Sequence, residues 1–250
     1  QYSTSRRVCG LVKIHADRYP YIASATGLSS FFPKWAREGT SADFVNRLKD
    51  PALQAKLKNS VKEEEEKIGS WDKVTISSIL SEKNRALEGV TVLAAAAQWK
   101  RTPYEFMRDI LIEENGAVGM VQFGMCEENL KRFYSHPLVT AGSDGNAVAP
   151  YGILGRGKPH PRFYGTFPRY IARYVLEAKV QPFEEGIRRI TSFTADKFGI
   201  RDRGRLAAGM FADITIFDMN RISDTATFQD PHKYAEGIPH VIVNGVAAVK

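Results

Sequence analysis

Residues 142–145, Gly-Ser-Asp-Gly, hold the side chain with the clearest chemical potential in this chain. The preceding run 138–141, Leu-Val-Thr-Ala, reads as a short buried strand, and the small residues after it let the backbone turn sharply. In an α/β barrel, side chains at the C-terminal ends of the strands point into the active-site mouth. A carboxylate there, Asp144, is a candidate general acid/base or metal contact. The same tetrapeptide is also an ordinary turn in which Asp bonds its own backbone, and that reading stays open on these residues alone. Asp144 is followed by a loop containing Gly145, Gly152, Gly155, Gly157, Pro150, Pro159 and Pro161. Such a length points to a site loop rather than a spacer. The loop delivers His160-Pro161-Arg162 and then Gly165-Thr166-Phe167-Pro168-Arg169.

Gly-Ser-Asp-Gly followed by His-Pro-Arg and Gly-Thr-Phe-x-Arg resembles the N-acyl-D-amino-acid deacylases (D-aminoacylases), a branch of the amidohydrolase superfamily. The resemblance extends to residues 19–28, where Tyr-Pro-Tyr, a small-residue stretch and Gly-Leu match the substrate-pocket segment; the family's serine is replaced by Ala25, with Ser24 beside it as a possible substitute. It extends also to Met125-Cys126-Glu127, where the family has a Met-Ser-Glu-like triplet, and to residues 203–218, similar to a tail found across the superfamily. By resemblance Asp144 is the general acid/base, with a further possible contact to a metal. Tyr19, Met125, His160 and Arg162 are the candidate substrate-binding residues. Arg162 is assigned the substrate α-carboxylate, since guanidinium pairs bidentately with carboxylates; pinning the loop to the barrel is the competing role. Met125, flexible and polarizable, points to a hydrophobic rather than an acidic substrate side chain. Cys126 lacks an evident histidine partner and is not read as a nucleophile.

Amide hydrolysis at neutral pH needs a strong nucleophile and a polarised carbonyl, and bound Zn²⁺ supplies both, with three protein ligands and one open position. The family's ligand pattern is not matched by His15, His136, His160, His232 and His240, which are scattered. The zinc ligands are therefore expected upstream of Gln1, in a chain cut from a longer one, and the isolated piece is expected to be inactive. Rival readings are another amidohydrolase, such as a cyclic amidase, or a non-catalytic remnant of the fold.

The elements that must position these groups follow from pattern. Alternation and flanking breakers predict strands over 8–14, 74–79 and 117–123, a helix through 94–100, and further helices over 103–112, 167–178 and 182–190. Residues 33–69 read as a helical insertion, with Phe31, Phe32 and Trp35 as core. Asn244-Gly245 within 241–249 predicts a hairpin. The fold class is α/β. The C-terminal half of an amidohydrolase-type TIM barrel is expected over 1–200, and part of a small flanking β domain over 201–250. The hydrophobic content of 43% is that of a globular chain, and no apolar run reaches the length of a membrane span. A net charge of +7 is spread among acids such as Glu63–Glu66, which argues against a nucleic-acid partner and for some attraction of anionic small molecules. Two cysteines without paired spacing suggest a reducing, cytoplasmic setting.

Overall fold

The computed structural model describes residues 14–249. The strand expected over 8–14, apart from Ile14, and Cys9 lie outside the described residues. Two hydrophobic cores organise the molecule. The first lies behind an antiparallel sheet of order β2-β4-β3, formed by β2 (Ala23–Gly27), β3 (Val74–Ile79) and β4 (Val118–Phe123). Against it pack α1 (Ser41–Lys49), α2 (Gln54–Ile68), α3 (Val92–Gln98) and α4 (Pro103–Glu113). Sequence sets these helix starts. Thr40 with Asp43 and Thr102 with Glu105 form reciprocal capping boxes, and Pro103 fills a position whose N–H would be unpaired anyway. Phe31, Phe32, Trp71 and Phe106 fill the interior with Trp35 at its edge, each full burial contributing about 1.5–3 kcal/mol.

The helices expected as an insertion over 33–69 therefore share one core with strands on either side of them, in a unit running from 23 to 123. Alternation identified β3 and β4 as strands but carried no information on partner direction, which is antiparallel for both pairs.

The second core gathers around two parallel strands, β1 (Ala16–Arg18) and β5 (Val139–Ala141). Covering them are α5 (Glu127–Ser135), α6 (Arg162–Arg169) and α7 (Phe183–Ile190). Tyr134 stacks at 4.9 Å from both Tyr170 and Tyr174, and its hydroxyl donates to the Arg18 carbonyl at 2.6 Å. The helix expected over 167–178 starts earlier, at Arg162, and continues past Arg169 as a π-helix over Tyr170–Glu177. Pro168 stands just before the change and has no N–H to give the α-helical ladder. Arg189, 3% exposed, donates through Nη1 to the carbonyls of Tyr134, His136 and Val139 at 2.8, 2.9 and 3.1 Å. It thereby fixes the end of α5 to the start of β5.

After α8 (Ser192–Phe198) comes a third sheet of order β6-β7-β8, built from β6 (Ile214–Ile216), β7 (His240–Val243) and β8 (Val246–Val249). Asn244 and Gly245 take φ of 52° and 79°, the left-handed pair that a two-residue hairpin demands. Among the described strands only β1 and β5 pair in parallel, so closure of a barrel is not seen within these residues.

Candidate active site

β5 runs straight into the turn that presents Asp144. A side chain at Gly142 would run into the Asp17 carboxylate on β1, which would have to move aside, so glycine lets the turn lie close against β1. The hydrogen bond inside the turn is made by Ser143, whose Oγ accepts from the Gly145 amide at 3.3 Å. That leaves the Asp144 carboxylate free for other partners. Asp144 itself adopts φ 45°, a conformation Asp tolerates better than most residues, and its side chain is 68% exposed.

Arg162 meets it from the first turn of α6. Its Nη2 lies 2.7 Å from Asp144 Oδ2 and its Nε donates to the Asp144 carbonyl at 3.0 Å. The Arg162 guanidinium also lies over the Tyr19 ring, 4.5 Å from its centroid, as does that of Arg18 at 4.3 Å. Although Arg162 is only 5% exposed, its Nη1 has no hydrogen-bond partner. A buried guanidinium donor left unpaired is costly, and a bound anion is the natural way to satisfy it.

His160 is fully buried with both ring nitrogens engaged. Nε2 donates to the Ala23 carbonyl at 3.0 Å, and Nδ1 accepts from the Arg162 amide at 3.0 Å. This pattern requires the neutral ring, and burial, aided by the nearby arginines, pushes its pKa down to about 3. The ring fastens the loop to β2 and has no nitrogen left for a ligand. Because the unfolded chain would protonate this histidine near pH 6.5 and the folded one only near 3, its stabilising effect is complete above about pH 6.5 and is lost as pH falls toward 3. Denaturant titrations from pH 7 to 4 are expected to show this one-proton slope, and His160→Asn to lack it. Identical slopes in the two proteins would refute the assignment.

Beneath this layer lies a cluster not anticipated from sequence. Tyr21 donates to Asp224 at 2.7 Å, and Arg169 approaches the same carboxylate at 3.6 Å. Burial raises both the Tyr21 phenol and the Asp224 carboxyl above their ordinary values. Any side chain at Gly165 would strike Asp224, which explains a glycine inside α6. Tyr21 also packs edge-on against His160 at 5.0 Å, so the cluster supports the His-Pro-Arg turn from behind.

A cavity of about 470 Å³ opens in front of these groups. Asp144, His160 and Arg162 line one side, while Ala25 and Thr26 of β2, Ser77 and Ser78 of β3, and Gly119 and Met120 of β4 form the other. Ala25 lines it and Ser24 does not, so Ser24 supplies no hydroxyl there. Tyr19 reaches the site through its stack on Arg162. Met125 is not among the lining residues; it is half-buried with its sulfur against the Arg18 guanidinium, and the methionine in the wall is Met120. Cys126 is exposed ahead of α5. His15 packs on Phe193 beside a separate, smaller cavity.

Among the described residues no three His, Cys, Asp or Glu side chains converge to hold a metal ion. Asp144 could contribute one oxygen, but the site does not supply a zinc ligand set by itself.

The sequence profile of the amidohydrolase family matches residues 50–249. This chain belongs to the amidohydrolase family. Its amidohydrolase relatives include an N-acyl-D-glutamate deacylase of Alcaligenes xylosoxydans xylosoxydans, 39% identical over 129 residues (52% of this chain, 25% of that protein). A D-aminoacylase of the same organism is 35% identical over 159 residues, covering 64% of this chain and 30% of that one. The chain thus spans about a quarter to a third of the length of these relatives. Among solved structures, an N-acyl-D-glutamate deacylase from Bordetella bronchiseptica, complexed with zinc and a phosphonate mimic of the tetrahedral intermediate, aligns with TM-score 0.66 at 28% identity. That alignment covers 92% of this chain and 38% of the other. A D-aminoacylase structure aligns with TM-score 0.65 at 28% identity, covering 93% and 39%. The fold is therefore that of the amidohydrolases. No helix among the described residues is long and apolar enough to cross a membrane.

Proposed function

We propose that the protein carrying this chain hydrolyses the amide bond of N-acyl-D-amino acids, giving a carboxylate and a D-amino acid, and that β1 and β5 are strands of its catalytic α/β barrel. One observation carries the reading. Asp144 stands just beyond the C-terminal end of a parallel strand, beside a buried arginine with a donor to spare, on the wall of a ligand-sized cavity. In this reading Asp144 takes a proton from the attacking water as the new C–O bond forms. It returns that proton to the amide nitrogen as the C–N bond breaks.

Arg162 Nη1 receives the substrate's α-carboxylate, with Tyr19 and His160 holding the guanidinium and its backbone in place. Met125 acts at one remove, through Arg18 and Tyr19. The reading includes a zinc requirement, supported by the zinc in the Bordetella deacylase complex, with ligands beyond those described here.

The test is metal content together with hydrolysis of N-acetyl-D-methionine and its L-form by the protein carrying this chain. Zinc with D-selective turnover is the expected result. Zinc without turnover of either isomer would keep the fold and discard this substrate, and turnover unaffected by chelation would discard the zinc requirement.

A further inference from the structure

β6 and β7 are antiparallel neighbours, with Ile216 the register partner of His240. Strands so placed need only a two-residue turn, yet residues 217–239 run between them. A connection of that length with no helix or strand of its own points to a site element rather than a spacer.

This connection is pinched at a neck and braced at its tip. The Asp218 amide donates to the Gly237 carbonyl at 2.9 Å, and Ser223 and Glu236 exchange both of their amide bonds, at 3.2 and 3.0 Å. Beyond the neck, Thr225 Oγ1 donates to the Tyr234 carbonyl at 2.6 Å and the Asp230 amide donates to Thr227 Oγ1 at 2.9 Å. The tip thus carries its own shape, in the manner of an Ω-loop.

What the tip meets is the back of the candidate site. Asp224 accepts from the Tyr21 hydroxyl, lies beside Arg169 and presses on Gly165 of α6. Phe228 packs edge-on against the His160 ring at 4.9 Å and against Phe123 at 4.7 Å. His232 bridges two segments: its Nε2 donates to the Gly157 carbonyl at 3.0 Å, and its Nδ1 accepts from the Tyr164 hydroxyl at 2.8 Å. The Arg162 turn is therefore gripped in the loop before it, at the ring of His160 and on the helix after it. None of these three tip side chains lines the cavity, so any effect on a bound molecule passes through the residues they hold.

Arg162 depends on such support. Its own ties are to the exposed Asp144 and to the Tyr19 ring, while Nη1 stays unpaired. Displacing a substrate-positioning group by about 1 Å can cost about 10²-fold in rate.

We infer that Asp224 and His232 are positioning residues, which through this tip hold the Arg162 turn in its place on the cavity wall. Their effect on turnover rests on the proposed amide hydrolysis; their effect on the turn does not.

Two readouts on the protein carrying this chain test it: hydrogen–deuterium exchange of the amides over 158–166, and kinetics with whichever of N-acetyl-D-methionine and N-acetyl-D-glutamate it hydrolyses. His232→Ala is expected to speed exchange over 158–166 about 10-fold, as for one lost hydrogen bond, and to leave exchange over 103–113 unchanged. KM should rise about 10-fold while kcat stays within about threefold, since Asp144 keeps its own turn. His232→Gln, which can still donate to Gly157 and accept from Tyr164, should recover most of both effects. Asp224→Ala should act like His232→Ala, and Asp224→Asn, which keeps an acceptor for Tyr21, should be milder. In an Arg162→Lys background His232→Ala should add little to KM, because both changes act on one group. Unchanged exchange in His232→Ala, faster exchange with KM unmoved, or a KM effect that adds in full to that of Arg162→Lys overturns the inference. If exchange responds as expected while the unmutated protein hydrolyses no N-acyl-D-amino acid, the hold on the turn stands and the deacylase reading falls.

Discussion

Replacing Asp144 by asparagine is expected to lower kcat by about 10²- to 10⁴-fold, the usual contribution of a positioned acid/base. The fold should survive. The side chain is 68% exposed, asparagine has nearly the same shape, and the main-chain oxygen that accepts from Arg162 Nε is unaltered. What the variant loses is basicity and a negative charge. Without that charge Arg162 is less neutralised, so substrate carboxylate should bind at least as well and KM should not rise. A fall confined to kcat, with an unchanged circular dichroism spectrum, is the expected signature. Turnover at the parent rate would remove Asp144 from the mechanism, and a rise in KM alone would make it a binding group.

Arg189→Met is expected to cost about 3–5 kcal/mol of folding stability, the range for breaking a buried charged network. Arg189 is almost fully buried and joins three carbonyls and Glu185. Methionine would fill much of the volume and leave those acceptors unpaired. The adjoining arginines hold the Glu185 carboxylate down to about 2, so it stays charged across the neutral range and loses a partner in the variant. Arg189→Lys should fall between, since an ammonium lacks the planar fork that spans several acceptors. Urea denaturation of the protein carrying this chain measures both. A loss below about 1 kcal/mol would mean that water replaces the guanidinium. Because β5 leads directly to Asp144, activity should fall before global unfolding is complete.

Much of this was legible in residue order because it is local. The apolar run before Gly142, the proline opening α4 and the Asn244-Gly245 turn are each settled by a few neighbouring residues. β2 was harder, because Ala-Ser-Ala-Thr-Gly lacks the branched and aromatic residues that mark strands. Strand direction was invisible for β3 and β4, since antiparallel pairing depends on partners far along the chain. In the site, motif and adjacency single out Asp144 and Arg162, which the structure brings together on the cavity wall. They do not reach Asp224: it meets Tyr21 across 203 residues, and nothing around residue 224 signals a buried acid. Gly165 was the one clue, a glycine within a helical segment that has a packing reason. The position of Met125 was not legible, because the turn after β4 carries it toward Arg18 and leaves Met120 in the wall.

The 23–123 unit leaves and re-enters the rest of the molecule through a single doorway. Ala23, at the start of β2, is the register partner of Phe123, at the end of β4, so the two crossing points are only about 5 Å apart. Whatever happens to the length or sequence between them, the ends return to the same place. The unit carries Thr26, Ser77 and Ser78, whereas Asp144 and Arg162 belong to the loop and helix that follow β5. The two walls of the cavity thus come from separately packed parts of the chain, hinged at one point, so a change in the length of one wall need not shift the other.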